Sequence, residues 1–302
     1  MFKPIQNALI VIQTLKWIHT LLGLINMNIN KIKWINKQDY ILITGASKGL
    51  GFEFVNFLSQ LGIPLICVSR STESLKKFKK DNNIVESNLI IFSYDLSVES
   101  EVFELLHEIK DYKISTIINN AGFGLYGLFS EVNLEKELNM IDLNIKALHI
   151  LTKKFVEIFN INNYGRIINI ASMASFSPGG PLYSTYYATK AYVLSLGQSV
   201  NTELKKNKSK VRVVTICPGP LKTEFWKTSI DKKVSKNKKD IKVKTMDLKK
   251  YSRKSLYKAL KTKNKNYIIL GAKNKLLRKC TKIFGDKTIL NNVYKFQKSK
   301  LI

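Results

Sequence analysis

The stretch YSTYYATKAY holds four tyrosines beside one lysine, a combination that could transfer protons. It begins at Tyr183 and ends at Tyr192. Residues four apart on a helix share a face, so Tyr186 can lie beside Lys190, and Tyr187, three positions before the lysine, can lie nearly as close. A phenol with a pKa of about 10 releases its proton reluctantly at neutral pH, whereas a neighbouring ammonium lowers that pKa by favouring the phenolate. The spacing therefore predicts a general acid at Tyr186 or Tyr187, and it fits Tyr183 and Tyr192 less well.

A glycine-rich turn, TGASKGLG, follows an early apolar run of the chain. Gly45 permits a tight bend, Gly49 lets backbone amides approach a phosphate, and Gly51 lets the next helix pack close to the strand. The positive end of that helix then faces the phosphates. Because the turn lies between a predicted strand and a predicted helix, it predicts a dinucleotide-binding site. The other contact residues expected in the turn are Ser47, Lys48 and Leu50.

The residue after the second apolar run favours one dinucleotide over the other. An acidic residue there would bind the ribose 2′-hydroxyl of NAD, whereas a basic residue would bind the 2′-phosphate of NADP. This chain has Arg70, nineteen residues beyond Gly51, and the planar guanidinium suits a phosphate. Lys48 could add a second positive charge. The sequence therefore favours NADP(H) over NAD(H), with a solvated strand end as the alternative for Arg70.

Seven short apolar runs alternate with longer, helix-like segments from Tyr40 onward. Each run is rich in Ile and Val and apolar on both faces, as buried parallel strands are. The pattern predicts an α/β fold with one Rossmann-type, doubly wound parallel sheet of about seven strands and helices on both faces. The runs are 40–44, 63–69, 88–94, 114–119, 166–171, 211–217 and 266–271.

Taken together, these motifs resemble the short-chain dehydrogenases/reductases of the classical type, over about residues 40–272. The glycine turn, the NNAG sequence and the Tyr-x-x-x-Lys pair occur in the family's order. The matching positions beyond the glycine turn are Asp95 and Leu96 in YDLS, Asn120, Ala121 and Gly122 in NNAG, Asn144 in DLNIKA, Ser172 in INIASMAS, Tyr186 and Lys190, and Pro218 and Gly219 with Thr223 downstream.

The resemblance implies a role for each matching side chain. It selects Tyr186 among the tyrosines as the catalytic acid, and it implies that Ser172 hydrogen-bonds the substrate oxygen. It also implies that Lys190 holds the nicotinamide ribose and that Asn144 supports a proton relay. Asp95 would lie near the adenine ring, and Pro218 would begin the loop over the nicotinamide.

The chain departs from the family pattern in one spacing. Ser172 lies fourteen residues before Tyr186, one more than is usual. The glycine pair in FSPGGPL could absorb the extra residue. Ser175, eleven residues before Tyr186, is the competing candidate for the catalytic serine.

The excess of positive charge is a property of the C-terminal quarter. The net charge is +28, and residues 222–302 carry 26 basic and 5 acidic side chains. Such a field attracts an anionic membrane surface, substrate or polymer. The region has aromatic residues but no RNA-binding motif, so no nucleic-acid partner is expected.

Both ends of the chain show amphipathic helix patterns outside the predicted catalytic domain. In residues 1–39 the apolar positions recur at helical spacing, which fits a packed helix, an interfacial helix or, less well, a membrane span. Residues 273–302 form a basic tail whose helix could lie on an anionic membrane or cover the sheet. The lysine-rich segment 228–247 is predicted to be mobile. The apolar stripe of the tail consists of Leu276, Leu277, Cys280, Ile283 and Phe284.

The cysteines and histidines predict no metal and a cytoplasmic location. Cys67, Cys217 and Cys280 form no CxxC pair, and the histidines lack metal-ligand spacing. The sequence as a whole predicts an NADP(H)-dependent oxidoreductase that reduces a ketone or aldehyde or oxidises the matching alcohol, with a lipidic or acyl substrate as one option. The resemblance implies a homo-oligomer. The alternative function is a non-catalytic NADP-binding regulator or scaffold.

Overall fold

The computed structural model describes residues 38–223, residue 225 and residues 246–299. All of them belong to one compact unit that begins at Asn36. The amphipathic pattern predicted for residues 1–39 and the mobile segment predicted for residues 228–247 lie almost wholly outside the described residues.

Seven parallel strands form one sheet in the order β3-β2-β1-β4-β5-β6-β7. Each strand lies within one of the seven predicted apolar runs, so the predicted Rossmann-type fold is confirmed. The strands are β1 (Tyr40–Thr44), β2 (Leu65–Val68), β3 (Leu89–Phe92), β4 (Ile114–Asn119), β5 (Arg166–Ile170), β6 (Arg212–Ile216) and β7 (Tyr267–Ile268).

Helices connect the strands, and two more helices follow the last strand. A π-helical turn, Asp142–Ala147, joins two of them, and a short 3₁₀ helix, Met173–Phe176, follows β5. The α-helices are α1 (Gly49–Ser59), α2 (Glu73–Asp81), α3 (Glu99–Glu108), α4 (Leu134–Ile141), α5 (Leu148–Ile161), α6 (Ser184–Lys206), α7 (Leu248–Lys261), α8 (Ala272–Ile283) and α9 (Asp286–Lys298).

Burial on both faces explains why the strands read as continuous apolar runs. All four residues of β2 and all five of β5 are buried. Leu42 and Ile117 from the sheet pack in one core cluster with Phe155 of α5. Fully burying such a side chain contributes about 1.5–3 kcal/mol, which makes this cluster a rigid support for the loops above it.

The order of the strands reverses at β1, and this reversal positions the site. The chain places β2 on one side of β1 and β4 on the other. The turns that follow β1 and β4 therefore meet at the carboxyl edge of the sheet, where doubly wound folds form a crevice. In the described part of the chain, no helix is long and apolar enough to cross a bilayer.

Candidate active site

A cavity of about 1490 Å³ opens at the carboxyl edge of the sheet. The turns after β1, β4 and β5, the first part of α6 and the loop after β6 line it, and so do α8 and α9. Almost all predicted site residues lie on its wall, whereas Gly51 and Asn144 do not line it. The predicted residues on the wall are Gly45, Ser47, Lys48, Gly49, Leu50, Arg70, Asp95, Leu96, Asn120, Ala121, Gly122, Ser172, Tyr186, Lys190, Pro218, Gly219 and Thr223.

The glycine turn forms a close-fitting cradle between β1 and α1. Gly45 and Gly49 have φ values of +62° and +59°, in the left-handed region that favours glycine. A β-carbon at Gly51 would lie 2.3 Å from the Gly45 carbonyl oxygen. Lys48 precedes α1 without a side-chain cap, so the first amides of the helix are not bonded to it. These features fit a pyrophosphate at the helix N-terminus.

Thr44 ties the two turns together, and sequence reasoning missed it. Its Oγ1 accepts hydrogen bonds from the backbone N–H groups of Asn120 and Ala121, each at 3.0 Å. The Asn120 amide in turn donates to the carbonyl oxygens of Thr44 and Gly45, each at 3.0 Å. The signal in the sequence was a polar residue at the end of an otherwise buried apolar strand.

Arg70 and Asp95 form an ion pair at one side of the cavity. Arg70 Nη1 lies 3.4 Å from Asp95 Oδ2. Partial burial raises the pKa of Asp95, but hydrogen bonds from the Ser97 side chain and backbone and the charge of Arg70 outweigh it, so the pKa lies below its ordinary value. The pair places a guanidinium on the cavity wall near the carboxyl end of β2.

Tyr186, Ser172 and Lys190 come together on the opposite side of the cavity. Tyr186 and Ser172 both line the cavity, and a side-chain hydrogen bond from Ser172 acts on the pKa of Tyr186. Lys190 Nζ lies 5.9 Å from the centroid of the Tyr186 ring and donates to the carbonyl oxygen of Ile170 at 2.9 Å. The four-residue spacing on α6 brings the phenol and the ammonium to one face, as predicted.

Burial, rather than the neighbouring lysine, dominates the acidity of this group. Desolvation raises the pKa of Tyr186 to about 12, although the hydrogen bond with Ser172 lowers it. Desolvation also lowers the pKa of Lys190 to about 8. Because desolvation outweighs the hydrogen bond with Ser172, the pKa of Tyr186 lies above its ordinary value, not below it as the neighbouring ammonium was expected to make it.

The two candidate serines have different surroundings. Ser172 caps the 3₁₀ helix, its Oγ accepts from the Ala174 N–H at 3.1 Å, and the residue lines the cavity beside Tyr186. Ser175 Oγ donates to the carbonyl oxygen of Lys190 at 2.7 Å, and it does not line the cavity. The geometry thus favours Ser172 as the residue that can touch a substrate, despite its longer spacing.

Asn144 lies in the π-helical turn, a distortion that often occurs at functional sites. Its Oδ1 accepts from the Phe123 N–H at 3.1 Å, and its Nδ2 donates to the Phe123 carbonyl oxygen at 2.9 Å. A β-carbon at Gly122 would lie 2.7 Å from Asn144 Oδ1 and 3.4 Å from Lys190 Nζ. Asn144 is therefore held against the loop after β4, close to the lysine.

Thr189 links Asn144 to the backbone of Tyr186, and sequence reasoning did not single it out for this role. Its Oγ1 accepts from Asn144 Nδ2 at 3.1 Å and donates to the Tyr186 carbonyl oxygen at 2.8 Å. The residue is buried. Its position directly before Lys190 was visible in the sequence, but its partner on another helix was not.

The other three tyrosines have packing or hydrogen-bonding partners away from Lys190. Tyr183 is buried against the Tyr126 ring at a centroid distance of 4.9 Å. Tyr187 accepts a hydrogen bond at its hydroxyl from Gln297 Nε2 at 2.9 Å. The Tyr192 hydroxyl lies 2.6 Å from His149 Nδ1.

Metal-ligating side chains do not gather in the part of the chain that the structure describes. Within residues 38–223 and 246–299, no group of three or more His, Cys, Asp or Glu side chains is close enough to hold an ion. All three cysteines are free thiols. Burial raises the pKa of the Cys217 thiol, which lies near Lys190.

The C-terminal helices form part of the cavity wall. Four of the five apolar residues in the predicted stripe of the tail line the cavity, namely Leu276, Leu277, Cys280 and Phe284. Leu221, Thr223 and Phe225 also line it. The stripe was visible in the sequence, but what it faces was not.

Known proteins resemble this chain in sequence. The family model described as short chain dehydrogenase matches residues 39–234. An uncharacterized oxidoreductase of Staphylococcus epidermidis is 32% identical over 190 residues, which are 62% of this chain and 80% of that protein. The 3-oxoacyl-(acyl-carrier-protein) reductase of Rickettsia felis is 31% identical over 184 residues, covering 61% of this chain and 73% of that protein.

Solved structures show the same architecture. A short-chain dehydrogenase from Sphingobium yanoikuyae in complex with NADPH superposes with a TM-score of 0.64 at 27% identity, covering 73% of this chain and 83% of that one. A short chain dehydrogenase from Burkholderia cenocepacia in complex with NADP covers 85% of this chain and 98% of its own, with a TM-score of 0.67. At 20% identity, the second likeness concerns the fold alone.

Proposed function

Because this chain belongs to the short-chain dehydrogenase family, and is thus an NAD(P)-dependent oxidoreductase, we propose that it reduces a ketone or aldehyde with NADPH, or oxidises the matching secondary alcohol. The observation that carries the proposal is the placement of Tyr186, Ser172 and Lys190 on one cavity wall, with Lys190 Nζ 5.9 Å from the centroid of the Tyr186 ring. A substrate oxygen near both hydroxyls would meet a proton donor and a hydrogen-bond donor at once.

Each side chain of the site has a separate role in the proposed reaction. When bound, reduced nicotinamide supplies the hydride. Ser172 donates a hydrogen bond to the substrate oxygen and fixes its position. Tyr186 donates the proton, and its pKa of about 12 keeps it in the protonated form that the reductive direction needs.

Lys190 stabilises the phenolate that remains after proton transfer. Its Nζ lies 5.9 Å from the Tyr186 ring centroid, close enough for an ammonium to favour the developing charge. Asn144 holds the loop that contains Gly122 and supports the return of a proton from solvent. We assign the catalytic roles to Ser172, Tyr186, Lys190 and Asn144.

NADP(H) is the dinucleotide we propose. Arg70 supports this choice, because its guanidinium lies at the carboxyl end of β2 and has donors in addition to the one directed at Asp95. Lys48 lines the same part of the cavity. NADPH and NADP occur in two of the structural neighbours, and NADH occurs in a 4-hydroxyisoleucine dehydrogenase, which resembles this chain in fold.

The substrate we propose has a lipidic or acyl body. An acyl substrate is named in the 3-oxoacyl-(acyl-carrier-protein) reductase of Rickettsia felis, and a very-long-chain 3-oxoacyl-CoA reductase-like protein of Arabidopsis thaliana is 30% identical over 172 residues. The apolar side chains that α8 and α9 direct at the cavity support the same class.

The setting we propose is the cytoplasm, at or near an anionic membrane surface. Three free thiols support a reducing compartment. Exposed lysines on α8, including Lys275, Lys279 and Lys282, support attachment to anionic lipid. Co-sedimentation with phosphatidylserine vesicles tests the attachment, which should weaken as salt is raised.

A homo-oligomer is part of the proposal. Ile158 and Ile161 on α5 are exposed apolar side chains that a second copy could cover. Light scattering after size exclusion tests this, and a double change of both residues to Ser should yield monomers if α5 forms the interface.

The experiment that tests the function follows NADPH oxidation with a panel of ketones and aldehydes of short and long chain. The proposal expects turnover of some members and a loss of at least about a hundredfold in kcat in Tyr186→Phe, since a positioned general acid contributes about 10²–10⁴-fold. Tight NADPH binding with no turnover of any member would instead favour a non-catalytic NADP-binding protein.

A further inference from the structure

We infer that α8 and α9 form a binding trough for an unbranched aliphatic chain on the substrate, and that this trough sets the preference for chain length. The inference rests on the proposed function, because the trough is the continuation of the cavity that contains Tyr186 and Ser172. Below, the name trough refers to the cavity-facing side chains of Leu276, Leu277, Phe284, Ile289, Val293 and Phe296.

One face of each helix supplies the trough. On α8 and just beyond it, Leu277 and Phe284 lie seven residues apart, which is two turns of a helix. On α9, Ile289, Val293 and Phe296 follow a spacing of four and three. The trough therefore extends along two helices, an elongated shape that suits a chain better than a compact ring.

Most apolar side chains of the trough are only partly covered by the protein, whereas Ile289 is buried. Leu276 and Leu277 remain 62% and 52% exposed, although both line the cavity. Apolar surface left uncovered inside a cavity is the surface that an apolar ligand would remove from water.

Specific contacts hold α8 against the serine side of the site. The Arg278 guanidinium carbon lies 4.5 Å from the centroid of the Phe176 ring, in the 3₁₀ helix that Ser172 caps. A β-carbon at Gly219 would lie 2.6 Å from the Asn274 amide nitrogen. These contacts fix α8 relative to Ser172 and to the loop after β6.

Other contacts hold α9 against the tyrosine side. Gln297 is buried, and its Nε2 donates to the hydroxyl of Tyr187, the neighbour of Tyr186. Tyr126 donates from its hydroxyl to the Gln297 carbonyl oxygen at 3.2 Å. The trough thus has a defined position relative to the reacting carbonyl, as a subsite that selects by length must have.

The test compares Leu277→Asn with Ile283→Asn. The two side chains are isomers on the same helix, and Ile283 is 75% exposed and does not line the cavity. The substrates are 2-butanone, 2-octanone and 2-dodecanone with NADPH. In the unchanged protein, kcat/KM should rise up to about fourfold for each methylene that enters the trough. Circular dichroism melting of both variants checks that they are folded.

The expected result is selective for the long chain. Leu277→Asn should lower kcat/KM for 2-dodecanone by about tenfold, mainly through KM, and leave 2-butanone nearly unchanged. Ile283→Asn should change neither. A flat dependence on chain length, or equal effects of the two variants, would overturn the trough while leaving the proposed function intact.

A binding measurement separates the trough from the reaction. Fluorescence titration with cis-parinaric acid, a long unbranched chain, needs no turnover. Weaker binding in Leu277→Asn than in Ile283→Asn would support the trough even if no ketone were reduced, in which case the proposed function would fail alone. Equal binding by the two variants, or no binding by the unchanged protein, would refute the trough.

Discussion

Replacing Arg70 with Gln should change the choice of dinucleotide more than any other property of the protein. The side chain is 59% exposed, and its one ion pair in the described residues is with Asp95, at 3.4 Å. Gln keeps much of the length and a hydrogen-bond donor but removes the positive charge. The 2′-phosphate of NADPH would then lose a charged partner. NADH has no 2′-phosphate, so its binding would lose no such contact.

The size of the effect follows from the exposure of the side chain. A hydrogen bond to a charged group contributes about 1.5–3 kcal/mol. Solvent screening at this half-exposed position reduces the expected contribution to about 1–2 kcal/mol. Since 1.4 kcal/mol is a factor of ten, the ratio of kcat/KM for NADPH to that for NADH should fall by about 5- to 30-fold. The melting temperature should hardly change, because an exposed ion pair such as Arg70–Asp95 contributes about 0–1 kcal/mol.

The assay measures kcat/KM for both dinucleotides with one saturating ketone, and the Kd of adenosine 2′,5′-bisphosphate as a readout that needs no turnover. Arg253→Gln is the matched control, because Arg253 bonds to Gln60 and does not line the cavity. The fall in the ratio of kcat/KM for NADPH to that for NADH in Arg70→Gln should become smaller as salt is raised. If the NADPH to NADH ratio is the same in Arg70→Gln and Arg253→Gln, the assignment of the 2′-phosphate to Arg70 is wrong.

Three further predictions concern the site itself. Thr189→Val should lower kcat while leaving KM for NADPH nearly unchanged, because the hydrogen bond to the Tyr186 carbonyl oxygen is lost. Thr189→Ser keeps the hydroxyl and should restore kcat. Equal kcat values in the two variants would rule out this positioning role. Burial lowers the pKa of Lys190 to about 8, so its positive charge is present below that pH and lost above it. We therefore expect kcat/KM for reduction to decline above a pH of about 8. A pH profile that stays level through alkaline pH would contradict this. Gly51→Ala should destabilise the fold by about 1–3 kcal/mol and weaken NADPH binding, because the new β-carbon would lie 2.3 Å from a carbonyl oxygen of the same turn. The control is Gly285→Ala, whose new β-carbon meets nothing within 4 Å, so this variant should have the melting temperature of the unchanged protein.

Local patterns in the sequence were enough to predict the strands and the site motifs. A parallel strand buried on both faces needs a continuous apolar run, and β1, β2 and β5 are such runs. Gly45 and Gly49 adopt backbone angles that favour glycine, so their positions in the turn could be read directly. Four-residue spacing on α6 was likewise enough to bring Tyr186 and Lys190 to one face.

Contacts between distant residues could not be read in this way. Thr44 bonds to the turn after β4 across 76 residues, and Gln297 bonds to Tyr187 across 110 residues. Neither partner leaves a local periodic signal. The apolar stripe on α8 predicted that the helix has an apolar face. It did not predict what that face contacts, because a membrane, the sheet and a substrate cavity each suit an apolar helix face.

What the sequence by itself determined is therefore the succession of strands and helices along the chain and the spacing that brings Tyr186 and Lys190 to one helix face, because both depend on residues close together in the chain. The tertiary structure decided their environment. It placed α8 and α9 beside the site, and it made burial the dominant influence on the pKa values of Tyr186 and Lys190. Desolvation depends on everything that surrounds a side chain, and most of those surroundings come from distant parts of the chain.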